Sequence, residues 1–283
     1  MRRSLLLILA LLLLCPTLAR AYDLLVLQSQ RNPAYDEVLK GLNSDRSISQ
    51  RLVVLSDYAD VDVVRIVRED SPVAIVAIGD AALTAARKVR HIPVIALMSL
   101  KVHSLKSSQP NLAGIGMFVA PESYCDLFRR MQVKRVGVVY SPAQSGWYLQ
   151  SARQAARDAG ITLVTREVAA PRETLAQLSS LAGKVDALWM LPDLTAVTRE
   201  TAEAYFHFSQ QQMVPVVSFA AGYLGLGAAA ALEMDRFALG VQAKEMVEAF
   251  LAGAAERSLI SFPKNVALRT NPTVLKHLGY QTP

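Results

Sequence analysis

The side chains with chemical reach in this chain sit where apolar runs stop. Residues 73–78 read Val-Ala-Ile-Val-Ala-Ile and break at Gly79-Asp80, after which a helical pattern starts at once. Gly79 lets a small molecule approach the backbone. The free amides of a helix start attract anionic groups, and Asp80 is placed either to cap that helix or to meet a ligand. The same placement recurs along the chain. Gln28 and Ser29 end the run Asp23–Gln28, Ser99 comes just after His91–Leu97, and Tyr140-Ser141 ends Arg135–Tyr140. Asp193 follows Val185–Leu191, and Phe219 ends Val214–Phe219. Asp193 could accept an ammonium or hydroxyl group, or cap the helix beyond it. Trp147 and Phe219 could cover an apolar or ring-bearing molecule, and Trp147 could equally pack beneath a helix. Hydrogen bonding and stacking are the chemistry of reversible recognition.

The sets that bond-making chemistry requires are missing from this reading. The four histidines, His91, His103, His207 and His277, have no partners at metal-ligand spacing, so no metal site is expected. There is no Gly-x-Ser-x-Gly elbow and no Gly-Lys-Ser/Thr phosphate loop. Gly225-x-Gly227-x-x-Ala230 imitates a dinucleotide fingerprint but lacks the helix directly after it. Cys125 lies on an amphipathic pattern and reads as structural. The chain is therefore expected to be no enzyme and to need no cofactor.

The first residues set a compartment. Arg2 and Arg3 precede an unbroken apolar run, Leu5 to Cys15, and Ala19-Arg20-Ala21 is a small-x-small cleavage signal. That order predicts a secretory signal peptide over residues 1–21, with a mature, periplasmic chain from Tyr22. Lipidation at Cys15 is the lesser alternative, because Leu14 and Pro16 flank it poorly. The formal charge of +6 falls to +3 once Arg2, Arg3 and Arg20 are removed. No cluster of basic residues with interleaved aromatics remains, which excludes a nucleic-acid footprint.

Behind the recognition residues lies an alternation of strand and helix. A strand as apolar as 73–78 must be covered on both faces, the habit of parallel sheets flanked by helices. Some eleven strands can be counted, too many for one ordinary sheet, so the reading is α/β with two Rossmann-like lobes. The break at Phe118–Pro121 suits a first crossing. Residues 22–118 plus 228–253 are expected to form one lobe, and 119–227 plus 254–283 the other. Ligands on open parallel sheets bind beyond the carboxyl ends of the strands, so two facing sheets make a cleft.

The order of segments resembles the ABC transporter substrate-binding protein family with a type I periplasmic-binding fold. Val76–Ala82 resembles its strand–glycine–helix element, Ile92-Pro93-Val94 its next strand, and Asn111–Ile115 its Asn-x-x-Gly element. Lys134–Tyr140, Val185–Leu188 with Pro192-Asp193, Val214–Val217 and Gly240–Gly253 complete the series. The chain departs from the family where Met98–His103 replaces an Asp-Pro pair and where Asp80 stands in place of a frequent Thr. The resemblance implies a monomeric solute-binding protein that takes a small molecule and delivers it to a membrane permease, and the mix of aromatic and polar candidate residues suits an amino-acid-like or aromatic one. A ligand-sensing or regulatory module on the same fold is the alternative. Gln28, Gly79, Asp80, Ser99, Tyr140, Ser141, Trp147, Asp193 and Phe219 are the expected ligand-binding residues.

Overall fold

A computed structural model describes residues 22–45, 47–105, 109–253 and 260–283. The expected signal peptide and Cys15 lie outside these residues. Among the described residues, twelve strands form two six-stranded sheets. The first contains β1 (Leu24–Gln28), β2 (Gln50–Val54), β3 (Ala74–Ile78), β4 (Val94–Leu97) and β5 (Leu112–Ile115). The second contains β6 (Arg135–Tyr140), β7 (Thr162–Glu167), β8 (Ala187–Trp189), β9 (Val216–Ser218) and β10 (Ala230–Met234). β11 (Ile260–Ser261) joins the first sheet, and β12 (Val266–Thr270) pairs antiparallel with β10 at the edge of the second. All other pairings are parallel. The architecture is the two-lobed, parallel α/β arrangement that the sequence predicts.

The lobe boundaries differ from the sequence reading. β10 belongs to the second sheet, whereas the sequence reading puts residues 228–253 in the first lobe. β11 lies in the first sheet, although the same reading puts 254–283 in the second lobe. The physical reason is pairing: Ala230 and Ala231 sit beside Val217 and Ser218, and the whole of β10 faces β12. Residues of near-uniform apolar type cannot announce which sheet they join.

Helices cover both faces of the sheets. In the first lobe these are α1 (Pro33–Leu42), α2 (Val63–Asp70), α3 (Asp80–Ala86) and the single turn α4 (Val102–Leu105), which lies in a stretch that reads as a polar loop. The second lobe has α5 (Pro121–Arg130), α6 (Pro142–Asp158), α7 (Thr174–Ser179) and α8 (Arg199–Gln212). α9 (Arg236–Leu251) returns to the first lobe and α10 (Pro272–His277) ends the chain. Central strands β1, β3, β4 and β5 are buried throughout, as strands covered on both faces must be. α1 and α9 touch backbone to backbone. A Cβ on Gly240 would lie 2.0 Å from the Val38 carbonyl oxygen, and one on Gly41 1.9 Å from that of Phe237.

Three segments cross between the lobes: residues 116–120, the turn at Met234-Asp235, and residues 262–265. They are tied together. Gly116 N–H donates to the Ser261 carbonyl at 2.9 Å, and Asp235 N–H to that of Asn265 at 3.1 Å. Gln242 of α9 is buried and clamps the third crossing, donating to the Phe262 carbonyl and accepting from Lys264 N–H. Tyr148 of α6 donates to the Val119 carbonyl at 2.7 Å on the first.

Candidate functional site

The strand orders place two crevices. In the first sheet the chain runs outward from β1 to β2 in one direction and from β3 to β5 in the other, so the order reverses between β1 and β3. In the second it reverses between β6 and β8. Crevices beyond the strand ends at such points are where open parallel sheets take ligands. Gln28, Gly79 and Asp80 fall at the first reversal, with Ser99 one strand away. Ser141 and Asp193 fall at the second, with Phe219 one strand away.

At the first crevice Ser29 does the capping that the sequence offered to Asp80. Its hydroxyl donates to the Ile78 carbonyl at 3.0 Å and accepts from Ala82 N–H at 2.9 Å, which satisfies one orphan amide of α3. Gly79 itself is the N-cap, with φ of +91°, and a Cβ there would lie 2.6 Å from both the Ser29 and Tyr35 hydroxyl oxygens. Only glycine fits. Asp80 is the first helical residue, and its carboxylate accepts from the Ser99 hydroxyl. Burial, followed by the Asp80 charge, holds the Tyr35 phenol above its usual pKa. Gln28 is buried. Its Nε2 donates to the Gln30 carbonyl at 2.8 Å, and its Oε1 has no partner among the described residues. Beside this crevice runs a groove of about 510 Å³ lined by Tyr58, Asp60, Asp80, Thr84, Lys88 and Lys101.

The second crevice is closed by Asp193, which is 1% exposed. Oδ1 accepts from Thr195 N–H at 2.9 Å and Ala196 N–H at 3.0 Å. Oδ2 accepts from Ser141 N–H at 2.8 Å and the Ser145 hydroxyl at 2.5 Å. A carboxylate offers about four acceptor positions, and all are filled. Asp193 therefore ties the β6 and β8 loops to each other, and the ligand contact expected of it is corrected to this internal role. Ser145 lies inside α6, and Ser141 takes the N-cap position. Tyr140 is also spent elsewhere: its hydroxyl donates to Glu167 at 2.7 Å on edge strand β7 and receives Arg153 at 3.4 Å. Phe219 meets Tyr223 edge-on with ring centroids 5.3 Å apart. Leu194, just after Asp193, and Leu226, at the end of the turn that holds Tyr223, are each 59% exposed.

Trp147 faces neither crevice alone. It stacks on His103 of α4, with centroids 3.6 Å apart and planes 18° from parallel, and meets Phe118 of the first crossing at 5.1 Å. The stack joins the lobes, because α4 follows the carboxyl end of β4 and α6 follows that of β6. The two sets of strand ends are thus brought to the same side of the molecule. His103 also explains Gly116, where a Cβ would lie 2.3 Å from His103 Nε2. Sequence reasoning missed His103 and Tyr35. Their signals, a ring beside a glycine and a phenol in the first turn of α1, exist only once the strands are paired. Cys125 is buried, which pushes its thiol up to about 11, as suits a structural cysteine. No group of three or more metal-ligating side chains occurs among the described residues.

Residues 47–283 match the family model of the ABC transporter substrate binding protein. The chain belongs to that family. As such it is a substrate-binding protein, and the two-lobed architecture is the type I periplasmic-binding fold. Solved structures of similar fold agree. A substrate-binding protein with adhesive properties from Clostridium difficile, in its ligand-free, open form, is 19% identical, with 93% of this chain and 96% of that one covered, at a TM-score of 0.72. An ABC domain from Streptococcus pneumonia in complex with L-Trp is 20% identical, with 92% and 95% covered, at 0.61. A conserved domain protein from Vibrio cholerae is 23% identical over the same shares, also at 0.61. No curated protein matches the chain.

Proposed function

We propose that this substrate-binding protein captures one small amphipathic solute between its lobes in the periplasm and hands it, as a monomer, to the membrane permease of an ABC transporter. The carrying observation is the asymmetry of the two crevices. The first offers the Tyr35 hydroxyl, the Asp80 carboxylate and the amide oxygen of buried Gln28, which has no partner among the described residues. The second has its one carboxylate internally satisfied and offers the Ser141 hydroxyl with Leu194, Phe219, Tyr223 and Leu226. A solute with a polar head and an apolar body suits that pairing. The L-Trp complex of the similar Streptococcus pneumonia domain supports a solute of this kind. Binding across both lobes favours the closed arrangement by as much as the solute prefers it. Three short crossings allow a hinge of that sort.

The test is a thermal-shift screen of the mature chain against a metabolite panel. A solute at about 100 times its Kd adds about 2.7 kcal/mol of stability. For a chain of this size that raises Tm by roughly 5–11 °C. A panel that moves no melting temperature contradicts capture.

A further inference from the structure

One short segment of the first lobe reaches across to the second. Residues 98–103 leave the carboxyl end of β4 through Met98, whose φ of +53° is unfavourable for a residue with a side chain. Two residues fix the segment to its own lobe. Ser99 is buried, donates to the Asp80 carboxylate and accepts from Lys101 N–H at 3.2 Å. Val102 is fully buried in the core cluster of Leu25, Ile75 and Val94. Two others face the second lobe. Leu100 packs against the core cluster that holds Tyr148, Leu149 and Trp189. His103 lays its ring on Trp147 of α6, with centroids 3.6 Å apart.

The rings around this contact belong to the crossings. Phe118, on the first, stands edge-on to His103 at 6.5 Å and to Trp147 at 5.1 Å. Phe262, on the third, lies 6.3 Å from His103 and 6.5 Å from Trp147. The two crevices lie elsewhere, at the β1–β3 and β6–β8 reversals, whereas α4 connects β4 to β5 on the crossing side. A solute and the stack can therefore be present together. Both rings nonetheless follow the carboxyl ends of their sheets, the side that parts when the lobes open. Rotation about the crossings must slide or separate two flat faces in van der Waals contact, and close packing of that kind gives way in steps, not continuously.

We propose that residues 98–103 are a built-in strap: anchored in the first lobe by Ser99 and Val102, they hold the empty lobes at one angle through the His103–Trp147 stack. The contribution of one stacked pair sets the ratio of held to swung-open lobes about 2- to 12-fold higher than it is without the stack. The strap concerns the chain without solute. It goes beyond the capture reading and does not require it.

The experiment is a spin-label distance measurement on the mature chain with no solute added, the labels on Leu52→Cys and Leu175→Cys and Cys125 replaced by serine. The parent should give one narrow distribution. His103→Ala removes the ring and should broaden the distribution toward longer distances, with the ratio of held to swung-open lobes falling about 2- to 12-fold. His103→Leu keeps a similar volume without a flat face and should do the same, so the test does not depend on the alanine variant folding. His103→Phe keeps a ring to stack and should return the parental distribution. A leucine variant that superimposes on the parent overturns the strap, and so does a phenylalanine variant as broad as the leucine one. If the distributions coincide while a solute still shortens the distance, capture stands and the strap falls. If they differ as expected and no solute is found, the strap stands without capture.

Discussion

Asp193 Oδ2 accepts the Ser141 amide proton at 2.8 Å, so a residue at the end of one strand holds the loop of its neighbour. The bond spans the reversal point of the second sheet. Asp193→Ala would leave the Ser141, Thr195 and Ala196 amides without this acceptor, inside a region that is almost fully buried. Each stranded donor costs about 1–3 kcal/mol. We expect a total loss of about 3 kcal/mol after relaxation, which lowers Tm by roughly 6–12 °C. Differential scanning calorimetry of the ligand-free variant checks this. A melting point within about 2 °C of the parent would mean that the carboxylate does not hold the two loops together.

The contact of α1 with α9 yields a second prediction. Gly240→Ala gains up to about 1 kcal/mol of helix propensity. It also drives a methyl group to 2.0 Å from the Val38 carbonyl and 2.7 Å from the Leu42 nitrogen. Those are backbone atoms and yield little, and overpacking of this kind costs about 1–3 kcal/mol. The net change should be destabilising in urea unfolding, and a stabilised variant would show that the two helices separate freely.

The His103–Trp147 stack is open to a double-mutant cycle. Stacked aromatic pairs contribute about 0.5–1.5 kcal/mol beyond the area they bury. Substituting each residue by alanine, singly and together, should return a coupling in that range. Additive single effects would mean that the rings lie together without holding the lobes.

Alkaline stability depends on Tyr22, whose hydroxyl donates to Asp70 at 2.6 Å. Burial and, next, this hydrogen bond push the Tyr22 phenol from 10.0 up to about 12. The folded chain thus favours the protonated phenol over the unfolded one. The contribution is whole below pH 10 and is lost as pH climbs toward 12. Tyr22→Phe should lessen the fall in stability across that window, as chemical denaturation at a series of pH values will register. An unchanged slope would assign the alkaline loss to the fully buried phenols Tyr124, Tyr148 and Tyr205, which burial also raises.

Much of this architecture is legible in the sequence because local chemistry and global position agree. Asn32 before Pro33 marks the start of α1, where its side chain accepts from Ala34 N–H. Gly160, a residue type suited to the left-handed region, follows the C-cap of α6 with φ of +70°. The buried run of β3 needs cover on both faces and has it. What is not legible depends on pairing. β10 reads as a strand in any sheet, and only its register with β9 and β12 assigns it to the second lobe. The same holds at the crevices. Strand ends point to Gln28, Gly79, Asp80, Ser99, Ser141, Asp193 and Phe219, and the topology puts all but Ser99 and Phe219 at two reversal points and those two one strand away. Whether a carboxylate there is free or spent turns on amides far along the chain. Asp193, open in the sequence to either role, is consumed by a neighbour 52 residues away. Asp80, open in the sequence to capping or to ligand contact, is relieved of the first task by Ser29, 53 residues before the amide it caps.

Closure of the lobes on a solute is the claim on which the rest depends. The crossings lie on the β5–β11 and β10–β12 side of the sheets, so the opposite edges, β2 and β7, form the mouth and should move most. Leu52 on β2 and Leu175 at the start of α7 are exposed positions there, one on each lobe. Spin labels on cysteines introduced at these two sites, with Cys125→Ser, should give one long distance without solute and a shorter one when a solute found by thermal shift is added. An identical distance distribution at saturating solute would contradict capture between the lobes.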